Sequence, residues 1–292
     1  MPAPRVSVIC IFYNAARFIR EALDSVLAQD FTDYELILAD DGSSDESTAI
    51  ARDFVARFPD KVRYVEHPGH ANRGMSATRN LGLEHAAGEF VAFIDSDDRW
   101  RPGKLRAQVA ILDAEPRAGI VCGTVNYWSS WEGGEDRLVP TGGTCDGLSC
   151  PPETSLNLYP LGRAAAPCPS DALVRRAVIE RVGGFEAHFT GPRQIYEDAG
   201  FFSKAWLETC VWFSGETWLD YRLHDESCVS TVHRDGHYSQ VRRYFLNWFA
   251  DYLEGRDAPG KERVLAAVRR AQWALDHLQL AHIERRLRRL AG

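Results

Sequence analysis

Apolar residues in the first half of the chain alternate between two spacings. Val6 to Tyr13 is an almost unbroken apolar run rich in β-branched residues, which is typical of a strand buried on both faces of a parallel sheet. From Phe18 to Leu27 the apolar positions recur at helical spacing, and Asn14 is the predicted N-cap of this helix. The opening segment therefore predicts a strand followed by a helix.

The same alternation continues to residue 125. Predicted strands span Glu35–Ala39, Val62–Glu66, Phe90–Ile94 and Ile120–Val125. Three helices are predicted between and around them: one that ends at Phe58, one at Ser76–His85 and one at Gly103–Ala114. This order predicts an α/β fold with a doubly wound, mainly parallel sheet flanked by helices. In such sheets ligands bind beyond the carboxyl ends of the strands.

The second half of the chain is less regular. Ser129–Pro169 is rich in Gly and Pro, and we interpret it as an acceptor-side loop or lid. A helix is predicted from Glu197 to about Glu208, with strands near Val211–Phe213 and Leu219–Leu223. From Tyr238 onward the pattern is helical only.

The charge of the chain is unevenly distributed. The 292 residues carry 34 Lys plus Arg and 41 Asp plus Glu, a net charge of −7; residues 256–292 contribute +5, which leaves −12 for residues 1–255. An acidic body argues against a nucleic-acid-binding protein and suits one that gathers carboxylates around a cation.

The sequence predicts a cytoplasmic protein, because it shows neither of the two usual membrane-targeting patterns. No apolar run approaches the roughly 18 residues that cross a bilayer, and the N-terminus enters a strand without a signal region. The seven Cys residues form neither a CxxC pair nor a zinc-ligand spacing, so we expect reduced, mostly structural thiols.

Two acidic turns follow predicted strands. Asp95-Ser96-Asp97-Asp98 comes directly after a buried strand, and three carboxylates so close together suit a hard divalent cation with phosphate ligands, whereas a helix cap needs only one Asp. The turn from Asp40 to Asp45 is a weaker signal. Asp41 there could accept hydrogen bonds from a nucleotide base or ribose, or the turn could simply cap a helix.

Several segments together resemble the family 2 glycosyltransferases of the GT-A fold. They are VSVICIFYN, LILADDGSSD, NRGMSATRNLGLEHAAGEFVAFIDSDDRWRPGKL, GGF, Glu197-Asp198 and YRLHDESCVS. The resemblance covers about residues 5–230, and residues 72–105 are its most specific part. It implies a Rossmann-like GT-A domain at 1–230, with a donor half at about 1–125 and an acceptor half at about 126–230, and a C-terminal helical extension at 231–292.

The resemblance implies an inverting enzyme of polysaccharide assembly. The expected donor is a nucleoside-diphosphate sugar, specifically a UDP-sugar, and the expected cofactor is Mn²⁺ or Mg²⁺. Its acceptor would be a glycan or a lipid-linked carrier, with a hydroxyl that needs a general base, for which Asp198 is the predicted residue.

The resemblance also implies roles for the other residues of the site. Asp97 is the predicted metal ligand, with Asp95 on the metal or the ribose, Asp98 as a supporting residue and His224 completing the metal shell. Arg79 is predicted to pair with phosphate. The remaining residues predicted to contact the nucleotide-sugar are Tyr13, Asp41, Ser96 and Glu197.

Two features concern the C-terminal region. Gln240-Val241-Arg242-Arg243-Tyr244 resembles the Gln-x-x-Arg-Trp signature of processive members, but it ends in Tyr and no membrane helices follow, so we expect a helix face and a non-processive enzyme. Ile283–Leu290 places three apolar residues on one stripe and four arginines on its flanks. This helix could contact the inner face of an anionic membrane or dock onto the body.

Two other functions are also compatible with the sequence. A nucleotidyltransferase shares the α/β sheet and the metal chemistry, although that class usually opens with a Gly-rich phosphate loop that is absent after the first strand here. A catalytically silent module that binds a sugar-nucleotide or glycan would retain the same fold.

Overall fold

A computed structural model describes residues 3–143 and 146–277 of the chain. Its strands are β1 Val6–Phe12, β2 Tyr34–Asp40, β3 Val62–Glu66, β4 Phe90–Asp95, β5 Arg99–Trp100, β6 Ala118–Trp128, β7 Arg137–Val139, β8 Gly147–Ser149, β9 Leu173–Arg175 and β10 Cys210–Arg222. These ten strands form one sheet. Eight of them follow the neighbour order β3-β2-β1-β4-β9-β6-β10-β5, while β7 pairs with β6 and β8 pairs with β10.

The first four long strands pair in parallel, and their order reverses at β1. β1 lies between β2 and β4, with Ile11 opposite both Ala39 and Asp95, so the chain moves to one side of β1 and then returns to the other. This reversal is a topological switch point, where the carboxyl ends of adjacent strands open a crevice. β6 and β10 are also parallel, whereas β9 joins β4 to β6 by antiparallel pairing. The predicted α/β fold with a mainly parallel sheet is confirmed.

Helices cover both faces of the sheet. They are α1 Ile19–Leu27, α2 Ser47–Arg57, α3 Met75–Glu84, α4 Lys104–Ala114, α5 Glu153–Asn157, α6 Arg176–Val182, α7 Glu197–Glu208, α8 Cys228–Arg234, α9 Tyr238–Glu254 and α10 Lys261–Asp276. Alternate residues of β1 point to opposite cores: one contains α1, α2 and α4, and the other contains α6 and α7. On the second face α3 packs so tightly that a Cβ at Gly82 would collide with Ile9.

A third core joins the C-terminal helices to the body. Buried residues of α9 and α10 pack with residues around Tyr196, just before α7, and with partly buried residues near Tyr159. Within the segment that resembles the processive signature, Arg243 pairs with Asp276 of α10 at 2.6 Å and the Tyr244 hydroxyl contacts His188. These residues therefore form helix-packing contacts.

Two local predictions need correction. Asn14 is not the N-cap of α1, which begins at Ile19; its Oδ1 instead accepts a hydrogen bond from the Ser44 amide of the neighbouring turn. The two strands predicted around residues 211–223 are one strand, β10, whose exposed Gly215-Glu216 step interrupts the apolar pattern and shifts the register. The Ser129–Pro169 segment, interpreted from the sequence as an acceptor-side loop or lid, contains the short elements β7, β8 and α5 between its loops.

The expectation of seven reduced thiols is wrong for two of them. Cys150 and Cys210 form a disulfide across a sequence separation of 60, whereas Cys10, Cys122, Cys168 and Cys228 are free. The disulfide fixes the Gly- and Pro-rich segment to the start of β10.

The C-terminal predictions are only partly covered by the structure. Across the described ranges, none of the helices combines the length and apolar character that a membrane span requires. Ile283–Leu290, the predicted amphipathic helix, lies outside the described residues.

Candidate functional site

A cleft of about 660 Å³ opens at the switch point beyond β1 and β4. Its walls also include residues of α3, the start of α7 and the chain after β10. Nine of the ten residues predicted from the sequence line it: Tyr13, Asp41, Arg79, Asp95, Ser96, Asp97, Glu197, Asp198 and His224. The fold therefore brings these nine residues together at one edge of the sheet.

Asp98 lies behind the cleft and not on its wall. The side chain is 1% exposed, and its Oδ1 accepts a hydrogen bond from the Arg222 amide at 3.0 Å. Burial, followed by the charges of Asp97 and Asp95, raises the pKa of this carboxyl well above its ordinary value. Asp98 therefore links the acidic turn to the end of β10.

Asp97 and His224 meet across the cleft. Nε2 of His224 lies 2.9 Å from Oδ2 of Asp97, and the Arg222 guanidinium donates to the Asp97 carbonyl at 2.7 Å. The pairing arises because β10 ends beside the Asp95–Asp98 turn, so two residues 127 positions apart become neighbours. A carboxylate oxygen and an imidazole nitrogen form a donor set that suits Mn²⁺.

Asp95 is held toward α3. Its Oδ1 accepts a hydrogen bond from Nη2 of Arg79 at 2.7 Å, while its amide donates to Ser170. In the described part of the chain Asp95 does not form a compact group of three donor atoms with Asp97 and His224. A ligand role for Asp95 would require its carboxylate to turn from Arg79.

Arg79 forms a buried bridge between two acidic residues. It is 1% exposed, and its Nε donates to Oε1 of Glu197 at 3.0 Å while Nη2 binds Asp95. Burial opposes the charged guanidinium, but Asp95 and Glu197 outweigh this effect and raise the pKa of Arg79. Breaking a buried ion pair is costly, because it leaves a charge without a partner. The two contacts of Arg79 therefore hold the carboxylates of Asp95 and Glu197 in fixed positions.

Asp198 is the second residue of α7 and lines the cleft. Its Oδ1 accepts a hydrogen bond from the Ala199 amide at 2.6 Å. Burial raises the pKa of this carboxyl from 3.8 to about 6, and the Ala199 hydrogen bond and Arg79 oppose the rise. For Glu197 burial likewise raises the pKa, with Arg79 opposing it. Asp198 is thus ionised near neutral pH yet more basic than an ordinary Asp, as a general base requires.

Asp41 is engaged by the start of α3. Its carboxylate accepts hydrogen bonds from the amides of Arg73 and Gly74, at 2.6 and 3.1 Å, and from the Thr78 hydroxyl at 2.9 Å. At the neighbouring Gly42, where φ is +79°, a Cβ would lie 2.7 Å from the His70 carbonyl oxygen. The acidic turn therefore packs tightly against the loop that leads into α3. Tyr13, which is 52% exposed, lies at the rim of the cleft.

Another acidic cluster lies beside this turn. Among the described residues, Asp40, Glu66 and His70 have potential ligand atoms within 4.8 Å of one another. The Tyr64 hydroxyl lies 3.0 Å from Asp40 and 2.5 Å from Glu66, and His70 contacts Glu66 and the Ser43 carbonyl. These contacts account for the cluster as a hydrogen-bonded support of the turn.

A second cavity adjoins the cleft and was not predicted. It has a volume of about 430 Å³ and shares Asp198, Tyr221 and Cys168 with the cleft. Many of its lining residues come from the Gly- and Pro-rich segment, including Tyr159 and Ala165. The sequence predicts this segment only as an acceptor-side loop or lid, and of the residues that line the cavity it predicts only Asp198 as a site residue.

Comparison with known proteins places the chain in a family. Residues 7–183 match the family described as glycosyl transferase family 2. An uncharacterized glycosyltransferase of Nostoc sp. strain PCC 7120 is 38% identical over 117 residues, which are 40% of this chain and 35% of that protein. The chain spans well under half the length of the curated relatives that it matches first.

Solved structures share the fold at low sequence identity. Residues 1–349 of TarS from S. aureus, in complex with UDP-GlcNAc, match with a TM-score of 0.71 and 20% identity over 94% of this chain and 74% of that one. The mannosyltransferase PcManGT from Pyrobaculum calidifontis, in complex with GDP-Man and Mn²⁺, matches with a TM-score of 0.60 and 20% identity over 98% and 81%. The switch-point cleft, the family match and the shared fold agree with the resemblance found in the sequence, and the chain belongs to glycosyl transferase family 2.

Proposed function

We propose that this protein is an inverting glycosyltransferase that moves a sugar from a UDP-sugar to a hydroxyl of a glycan or lipid-linked acceptor. One observation carries the proposal: a single cleft contains both the Asp97–His224 pair and the basic carboxylate of Asp198. The family match ends at residue 183, so the roles of Glu197, Asp198 and His224 rest on their positions in this cleft.

The donor occupies the side of the cleft formed by β1, β4 and α3. Asp97 and His224 would hold Mn²⁺ or Mg²⁺, with Asp95 beside them, and the ion would supply positive charge to the leaving diphosphate. Tyr13, Ser96 and Asp41 contribute to the same wall. The UDP-GlcNAc bound to TarS and the GDP-Man bound to PcManGT support a nucleoside-diphosphate sugar as the ligand class.

Asp198 is the general base of the proposed reaction. The acceptor oxygen forms a bond to the anomeric carbon of the donor sugar while its proton passes to the Asp198 carboxylate. The bond between the anomeric carbon and the diphosphate oxygen breaks, and its electron pair leaves with the nucleoside diphosphate. Attack opposite the leaving group inverts the anomeric configuration. Arg79 takes no proton in this scheme; it keeps Glu197 and Asp95 in place.

The proposal is tested by binding first and by turnover second. Calorimetry with UDP, dTDP and GDP, each with and without Mn²⁺, identifies the base and the metal dependence. Transfer from UDP-sugars and GDP-sugars to a panel of glycans is then followed by proton NMR, which reports the anomeric configuration of the product.

Each alternative gives a distinct result in these assays. Nucleotide binding without turnover on any acceptor would favour a silent binding module, and pyrophosphate release would favour a nucleotidyltransferase. A product with retained configuration would contradict the role of Asp198 as a base that activates the acceptor.

A further inference from the structure

His70 lies between the Asp40–Asp45 turn and the loop that joins β3 to α3. Its Nε2 is 2.7 Å from the carbonyl oxygen of Ser43 in the turn, and its Nδ1 is 2.8 Å from Oε2 of Glu66, the last residue of β3. The carbonyl of His70 packs against Gly42 of the same turn. The imidazole therefore connects the turn, the end of β3 and the loop that follows it.

Both partners of the imidazole ring are hydrogen-bond acceptors. A carbonyl oxygen and an ionised carboxylate have no hydrogen to donate, and a neutral imidazole carries an N–H on only one of its two nitrogens. A neutral His70 would therefore direct the lone pair of its other nitrogen at one of these two oxygens. The imidazolium form donates from both nitrogens and satisfies both contacts. The geometry thus specifies a protonated ring.

The charged groups around the ring favour the same form. The carboxylates of Asp40 and Glu66 and the ring of His70 offer atoms that lie within 4.8 Å of one another. The Tyr64 hydroxyl lies between the two carboxylates and has a single hydrogen to donate. Arg52 of α2 is 3.9 Å from Glu66, and its side chain is 63% exposed. A protonated His70 offsets the charge of this acidic pair at hydrogen-bond distance.

The pKa values of the two partners are shifted in the direction that this pairing requires. Hydrogen bonds to the Ser43 carbonyl and to Glu66 raise the pKa of His70 above its ordinary value of 6.5, although desolvation opposes the rise. The hydrogen bond from Tyr64 lowers the pKa of Glu66, desolvation opposes it, and the hydrogen bond from His70 adds to the lowering. Glu66 is therefore the ionised acceptor and His70 the donor.

The turn and the loop that His70 joins both contribute to the donor side of the cleft. Asp41 of the turn and Asn72 of the loop line it. The amides of Arg73 and Gly74, which follow Asn72, donate to the Asp41 carboxylate, so the turn and the loop form one wall. A neutral His70 keeps only one of its two hydrogen bonds, and this wall is then held less firmly.

We propose that His70 is a positioning residue for nucleotide binding: its protonated ring holds the Asp41 turn against the Asn72 loop, and loss of the proton weakens binding of the donor nucleotide. The inference rests on the proposed function, which assigns this wall of the cleft to the donor. His70 contacts no substrate in this scheme and acts through the turn. Its contribution is fully present below pH 6.5 and is lost as the pH rises through the raised pKa of the folded protein.

The test compares one variant with a matched histidine control. His70→Asn removes the imidazole, and Asn tolerates the left-handed backbone of this position, where φ is +53°. His85→Asn is the control, because His85 is exposed and follows α3, about 15 Å along the helix from the loop. Calorimetry measures UDP binding to the full-length proteins with Mg²⁺ at pH 6 and pH 9. The ratio of Kd values between variant and wild type at each pH removes the titration of UDP itself.

We expect the effect of the substitution to depend on pH. At pH 6 His70→Asn should bind UDP about fivefold more weakly than wild type, the lower end of typical coupling between two sites. At pH 9 the two proteins should agree within about twofold, because neither then carries the cation. His85→Asn should match wild type at both pH values.

A second measurement follows the proton on His70 directly. NMR titration of the histidine ring signals, assigned with His70→Asn, should give His70 a pKa above 6.5 in the metal-free protein. Coupling is reciprocal, so UDP with Mg²⁺ should raise this pKa further, by about 0.7 for a fivefold effect. Should His70→Asn fail to fold, Glu66→Gln serves instead: it removes the anion that pairs with the ring, so the pKa of His70 should fall.

The outcomes separate this inference from the proposed function. If UDP binds and the Kd ratio is the same at both pH values, or if His70 titrates at or below 6.5, the role of His70 is overturned and the donor assignment stands. If UDP does not bind at either pH while the pKa of His70 is raised, the proposed donor is wrong and the inference falls with it. Whether UDP binds therefore distinguishes the two failures.

Discussion

Replacing Asp198 by Asn should lower activity and raise stability together. The amide cannot accept the proton of the acceptor hydroxyl, so kcat should fall by about two to four orders of magnitude, the usual contribution of a positioned base. UDP affinity should change by no more than a few fold, because the substitution lies on the acceptor side of the donor cleft. A lower kcat with UDP affinity retained distinguishes loss of the base from loss of the folded structure.

The stability gain can be estimated from the pKa of Asp198. Burial raises this pKa from 3.8 to about 6, so the folded protein binds the proton more tightly than the unfolded chain does. The charged carboxylate therefore costs stability, and this cost is fully present above pH 6. A difference of about two pKa units corresponds to about 3 kcal/mol, which Asn would remove.

The pH dependence of this gain is the sharper part of the prediction. Between pH 6 and 4 the cost shrinks as the pH falls through the folded pKa toward the unfolded one, so the advantage of Asn should be about 3 kcal/mol at pH 8 and about 1.5 kcal/mol at pH 5. Denaturant unfolding of metal-free protein at both pH values measures it. The exposed Asp235→Asn is the matched control and should show no such trend.

Two results would refute this reasoning. Near-normal kcat in the Asn variant would move the base elsewhere, with Glu197 as the next candidate. An Asn variant that is less stable than wild type at pH 8, with the cleft otherwise unchanged, would mean that the Asp198 carboxylate is stabilised by its surroundings and is not an elevated-pKa base.

Three further predictions concern the metal, the disulfide and the C-terminal tail. Asp97→Asn should abolish the Mn²⁺ dependence of UDP binding without loss of stability, because the side chain contributes mainly charge at a turn; calorimetry that shows unchanged Mn²⁺ dependence would remove Asp97 from the metal site. Reduction of the Cys150–Cys210 disulfide, which closes a loop with a sequence separation of 60, should lower the unfolding free energy by about 4 kcal/mol in the chain-entropy model. Denaturant unfolding with and without reductant measures this loss, with Cys150→Ser as the check on reductant effects. Truncation after Leu280 should weaken sedimentation with anionic liposomes at low salt and leave turnover on a soluble acceptor unchanged. If the full-length protein fails to sediment with those liposomes, the membrane interpretation of the tail is wrong.

Local patterns in the sequence determined the sheet and the chemistry at its edge. The β1 segment is apolar at every position but one, so it could only be a strand covered on both faces, and its neighbours in the chain repeat the strand and helix spacings. The acidic run that follows β4 had to lie at the carboxyl end of that strand. These features depend on residues close together in the sequence, which is why the pattern sufficed.

Contacts between distant residues were decided only by the tertiary structure. Asn14 looks like an N-cap from its neighbours alone, yet it binds Ser44 because the two turns meet at the sheet edge. Arg79 looks like a phosphate ligand, yet it is buried between Asp95 and Glu197, the latter 118 positions away.

The second cavity shows the same limit most clearly. This cavity is lined by residues of β6, the Gly- and Pro-rich segment, α7 and β10, and no spacing along the chain indicates that these segments meet. Periodicity reports the backbone conformation and burial of a segment, because both depend on a residue's own neighbours. Which segments meet depends on how all of them pack together, so the sequence alone determined the sheet edge at which the acidic turns lie, and the tertiary structure determined which residues line the cavity next to Asp198.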